Sequence, residues 1–153
     1  MPFGELYEMK VTARLTLINI IVAVFIFLFT YTALSKFLSI TSFRATLQQS
    51  PLIKNYASVI AWLLPVTELL VSILLFIPLT RLAGLYSSFG LMTLFTLYIL
   101  YMLLSTSHLP CSCGGVLKQM TWKQHLVFNI LFTLLGATGI LLERQRRKQT
   151  VFV

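Results

Sequence analysis

"LTLINIIVAVFIFLFTYTAL", Leu15 to Leu34, is a run of twenty residues without a charged side chain. A hydrocarbon core about 30 Å thick is crossed by roughly 20 helical residues, so the run reads as a membrane span. Secretory signals carry shorter apolar cores, about 7–15 residues, and end in a small-residue cleavage site. None follows here, which makes this an uncleaved first span. Three more apolar runs succeed it: Tyr56 to Ile77, interrupted by Pro65 and Glu68; Leu82 to Leu104; and His125 to Leu142, the shortest. No internal repeat or low-complexity tract breaks the series.

Composition agrees. Hydrophobic residues make up 58% of the 153 and charged residues 10%, against about 25% charged in soluble domains. The chain lacks the polar surface a soluble fold needs, so the expected fold is all-α: a polytopic four-transmembrane-helix bundle with its outer face against membrane lipid. The formal net charge is +8. Its basic residues lie between and beyond the apolar runs, where topology determinants belong, and not on an aromatic-studded basic face. Nucleic acid is therefore not an expected partner.

Four spans put both termini on one side. That side receives seven basic residues (Lys10, Arg14, Arg81, Arg144, Arg146, Arg147 and Lys148), and the other five (Lys36, Arg44, Lys54, Lys118 and Lys123). The positive-inside rule then puts both termini in the cytoplasm. The expected organisation is a cytoplasmic segment over 1–14, the membrane domain over 15–142 and a basic cytoplasmic tail over 143–153. In a bacterium the connection between the last two spans faces the periplasm. Between spans one and two, Phe37, Ile40, Phe43 or Arg44, and Leu47 recur at helical spacing, predicting a short amphipathic helix on the outer interface. Ser50 before Pro51 reads as an N-cap opening span two.

The chain's two cysteines, Cys111 and Cys113, lie in the outward gap as a C-x-C pair followed by Gly114 and Gly115. Closing so short a loop removes little chain entropy, about 1.6 kcal/mol at best before strain. A strained short bridge is easily reduced, and the two glycines supply the backbone freedom of a tight turn. Nearby Lys118, Lys123, His108 and His125, with the N-terminal end of span four, favour thiolate. Thiol–disulfide exchange is thus the leading chemistry. Inert structural cysteines are one alternative, and a copper or zinc site built from both thiolates and His108, with His125 as the fourth ligand zinc would want, is the other.

"SKF" after span one (Lys36), P-x-x-E-L within span two (Pro65, Glu68) and "CSCGG" before span four, followed by Trp122 and Asn129, together resemble the MauE family of redox-associated membrane proteins, which belong with DoxX-like four-helix proteins. The resemblance covers Leu15 to Leu142. It implies that Cys111 and Cys113 are a redox pair working beside a thioredoxin-like periplasmic protein, in the maturation of the disulfide-rich small subunit of methylamine dehydrogenase. Gly114 stands where many members carry phenylalanine.

Other polar residues carry two readings each. Glu68 is the one acid expected within a span, about 18 Å along a helix begun at Tyr56. Charges at that depth cost about 2.5–3.5 kcal/mol and turn inward. It is either a protonated group bonded within the bundle or a proton acceptor serving the thiols or a quinone, the candidate cofactor. Pro65 removes the helix bond to Ala61, which kinks the helix and leaves a polar spot beside Glu68. Lys36 is most simply a lysine snorkelling to the interface; the resemblance offers an inward pairing with Glu68. Asn129 bonds another helix or faces the redox pocket, and Trp122 reads as an interfacial anchor. A rival for the whole is a non-enzymatic membrane subunit or small-solute carrier with a polar cavity at Glu68 and Lys36.

Overall fold

A computed structural model of the chain describes residues 3–105 and 121–151, with side chains over 9, 11–104 and 121–148. Among the described residues five α-helices follow one another: α1 (Phe3–Leu38), α2 (Ile40–Gln48), α3 (Ala57–Phe76), α4 (Arg81–Ser105) and α5 (Trp122–Val151), with a 3-10 turn at Lys54–Tyr56. No strand occurs among the described residues. Four helices are long and apolar enough to cross a membrane, over Val11–Leu38, Lys54–Phe76, Arg81–Leu104 and Trp122–Lys148. Each contains one of the four expected runs nearly whole.

The helices close into a ring. α1 packs chiefly on α3, α3 on α4, α4 on α5, and α5 back on α1. Phe25 and Phe29 of α1 fill the centre with Leu75 and Leu85; Phe25 stacks on Phe29 at 5.7 Å and meets the edge of Phe132 at 5.6 Å. Phe27, Leu63, Ile73 and Leu134 point outward, so lipid contacts them. Lipid tails are as apolar as leucine, so close packing and polar contacts must hold such helices together. Gly84 shows how close α3 and α4 come: a Cβ there would stand 2.8 Å from the backbone nitrogen of Leu75. At the same end, Arg81 of α4 donates to Asn19 Oδ1 of α1 at 3.1 Å.

α2 is the expected amphipathic helix, with Phe43 and Leu47 turned in and Arg44 exposed. Phe37 belongs to the end of α1, its ring 6.0 Å from Trp62. Span two does not open at Ser50 and Pro51. α3 starts at Ala57 after Tyr56, without a side-chain cap. Ser50 instead ends the α2 turn, its N–H donating to Leu47 O at 3.2 Å, and its buried hydroxyl is directed at Met102 Sδ, 3.9 Å away. A hydroxyl spent there cannot cap, and proline's fixed φ suits a turn as well as a helix start.

Span four is not the shortest. α5 begins at Trp122 and runs through the basic tail to Val151. Its start is a reciprocal capping box, Thr121 N donating to Gln124 Oε1 at 2.9 Å and Gln124 N to Thr121 Oγ1 at 3.3 Å. Its far end is held by Glu143, which accepts from Arg146 at 2.6 Å and from Arg147 at 3.3 Å, while Arg147 also donates to Leu79 O at 3.2 Å. Glu143 is 0% exposed. Glu68 is therefore not the sole buried acid of the spans.

Candidate functional site

α1 ends, and α3 begins, at the end of the bundle where α4 stops and α5 starts. Side chains of an α-helix tilt toward its N-terminus. Lys36, near the C-terminus of α1, therefore leans down into the bundle, and Glu68, on antiparallel α3, leans up to meet it. Lys36 Nζ donates to Glu68 Oε1 at 2.7 Å and Oε2 at 2.9 Å. The Phe43 ring of α2 lies 5.9 Å from the same ammonium. The carboxylate is 1% exposed and the lysine side chain 14%. The snorkelling expectation for Lys36 thus fails for a directional reason: reaching outward from a helix C-terminus works against the tilt of the side chain. Glu68 is ion-paired across two helices. Pro65 is buried one turn before it, and α3 stays helical through the proline.

Beside this pair lies a cavity of about 410 Å³ lined from all five helices. α1 contributes Phe29, Thr32 and Lys36, and α2 contributes Phe43, Thr46 and Leu47. Leu64 and Glu68 come from α3, and Met92, Phe95, Tyr98 and Ile99 from α4. α5 adds Trp122, His125, Phe128 and Asn129, which share one face because positions three and four apart stack along a helix. Most of the lining is apolar, with polar groups gathered around Lys36 and Glu68 and along that face of α5. Ligand cavities commonly span about 300–1,000 Å³ and combine apolar walls with a few convergent polar groups.

Asn129 is buried, yet its Nδ2 donates to His125 O at 2.8 Å within its own helix, so the expected amide bond to another helix is not what holds it. Trp122 is half-buried and faces the cavity, unlike an interfacial anchor; Trp62 is the tryptophan that lies outward. The structure therefore gathers Lys36, Glu68, Asn129, Trp122 and His125 around one space. Thr32, Phe43 and Tyr98 complete it; the sequence offered Phe43 only as part of the amphipathic helix and Tyr98 only as packing, and it did not single out Thr32. Thr32 had a signal, standing four residues before Lys36 and hence on its face. Cys111, Cys113, Gly114 and Gly115, with His108 and Lys118, lie outside the described residues.

Four membrane-length helices around an apolar, polar-tipped cavity define a multi-pass membrane protein with an internal cavity. A protein-family model described as Methylamine utilisation protein MauE matches residues 14–142. The chain belongs to the MauE family. No curated protein matches it, and no solved structure does.

Proposed function

We propose that the protein is a thiol–disulfide exchange protein of the bacterial plasma membrane, with both termini in the cytoplasm and its C-x-C segment in the periplasm. Cys111 and Cys113 alternate between disulfide and dithiol against a thioredoxin-like or other disulfide-containing partner. A partner thiolate attacks one sulfur of the Cys111–Cys113 bond and forms a mixed disulfide. The partner's second thiolate then attacks its own sulfur, leaving a partner disulfide and two thiols here; two electrons and two protons have moved, and the reverse sequence balances equally.

One observation carries this reading. The segment that bears both cysteines joins the bundle between Ser105 and Trp122, and Trp122 lines the cavity beside the Lys36–Glu68 pair. Membership of the MauE family supports it further. A carrier or scaffold built on the same cavity is the second reading, favoured by the ion pair facing that space. Single-cysteine variants separate them. In cells, Cys111→Ser or Cys113→Ser traps a mixed disulfide with a periplasmic protein, released by reductant, and the double variant leaves that protein without its disulfides. Correct disulfides in the partner of the double variant refute the exchange reading and leave the carrier.

A further inference from the structure

We infer that the cavity is a binding site for a membrane-soluble quinone. Five observations converge on that class of ligand. The volume of about 410 Å³ suits a compact ring with the start of an apolar tail, within the usual range of about 300–1,000 Å³. The walls are largely aromatic and aliphatic, among them Phe29, Phe95 and Ile99, which suits a flat apolar ring. The charges of Lys36 and Glu68 cancel at 2.7 Å, so the site holds no surplus cation for a phosphate or a fatty-acid head; a neutral ligand fits. Asn129 spends one amide proton on His125 O and has a second to offer a carbonyl oxygen. Finally, Leu94 both lines the cavity and is 63% exposed, which sets the cavity wall against the lipid-facing side of α4 and suits a ligand that enters from the bilayer.

The role of such a ligand rests on the exchange function proposed above, whereas the binding itself does not. The chain holds two cysteines, so no second pair relays electrons. Re-forming the Cys111–Cys113 bond from two thiols releases two electrons and two protons, and a quinone takes up both pairs and leaves as the quinol. Glu68 and His125, which both line the cavity, are the groups able to pass protons to the ring oxygens.

Trp122 provides the readout. The full-length protein with Trp62→Phe, so that Trp122 is the one tryptophan, and with Cys111→Ser and Cys113→Ser, is placed in lipid nanodiscs. It is titrated with decyl-benzoquinone and, separately, with oleate. The expected result is saturable quenching by the quinone, weakened at least tenfold by Leu64→Phe, which fills the cavity, and by Asn129→Leu, which removes the donor. Circular dichroism confirms that each variant is folded; should either prove unfolded, the other carries the comparison. Quenching that rises linearly without saturation, or is equal in a folded Leu64→Phe protein, overturns the site. Oleate that displaces the quinone at equal or lower concentration makes it an acyl-chain site and overturns the ligand. Because this protein lacks both cysteines, failure here leaves the exchange reading intact. Saturable binding combined with cysteines that never change oxidation state in cells would instead sink exchange alone.

Discussion

Lys36→Met keeps the unbranched stem of the lysine and deletes its ammonium. Glu68, 1% exposed, then loses the hydrogen bonds of 2.7 and 2.9 Å that reach its two oxygens. Two magnitudes compete. An ordinary interhelical hydrogen bond within a membrane averages about 0.6 kcal/mol, because the unfolded chain in lipid finds other partners. Removing one member of a buried ion pair costs about 3–5 kcal/mol, most of it the stranded charge. Lys36 keeps 14% exposure, which takes the expectation to the lower end, about 3 kcal/mol. The double variant Lys36→Met, Glu68→Leu strands nothing, and apolar replacement of a buried pair is often neutral or stabilising; it is expected within about 1 kcal/mol of the parent. The assay is reversible unfolding in mixed micelles with increasing dodecyl sulfate, followed by far-ultraviolet circular dichroism over the full double-mutant cycle. A Lys36→Met protein within about 0.6 kcal/mol of the parent, or a double variant that loses the sum of the two singles, refutes the argument that the pair is a buried interhelical charge contact.

Two contrasts test the packing by the same unfolding assay. Gly84→Ala drives a Cβ to 2.8 Å from the Leu75 backbone nitrogen and is expected to cost about 1–3 kcal/mol. Gly90→Ala meets nothing within 4 Å and should be neutral, or stabilising by about 0.5–1 kcal/mol as alanine replaces glycine in a helix; equal effects would contradict the tight α3–α4 approach. Thr121→Ala removes the capping hydroxyl of α5 and is expected to cost about 0.5–2 kcal/mol, with faster amide exchange at Gln124. Unchanged exchange there would show that the cap does not hold the helix start.

Apolar run length made the four spans legible, because runs of eighteen or more residues with at most one charge suit a membrane and little else. The amphipathic helix was legible for a similar reason, since Phe43 and Leu47 recur one turn apart. Element ends were not. Ser50–Pro51 carries a plausible start signal that tertiary contact overrides, since Met102 claims the serine. Span four looked short because hydropathy ignores what Glu143 does for Arg146 and Arg147. The true start of α5 was written in the sequence: Thr121 and Gln124 have the spacing of a capping box. At the site, Glu68 announced itself as an acid among leucines, whereas a lysine at the outer end of a span suits snorkelling as readily as the inward course that Lys36 takes to Glu68. Which of Trp122, His125 and Asn129 face inward follows from their spacing only once the start of α5 is known.

The two ionic clusters seen among the described residues differ in what they require. Glu143 takes its partners from its own helix, three and four residues on, so the contacts form as the helix forms and help it extend. Lys36 and Glu68 are 32 residues apart and meet only when α1 and α3 are already in register. For joining those two helices, leucine against methionine would serve as well, and buried ion pairs are weak evidence for stability. What an apolar pair does not offer is a donor and an acceptor on the wall of a cavity. The pair is costly to desolvate and dispensable for packing, and a ligand bound in the cavity, as proposed above, would account for its place on that wall.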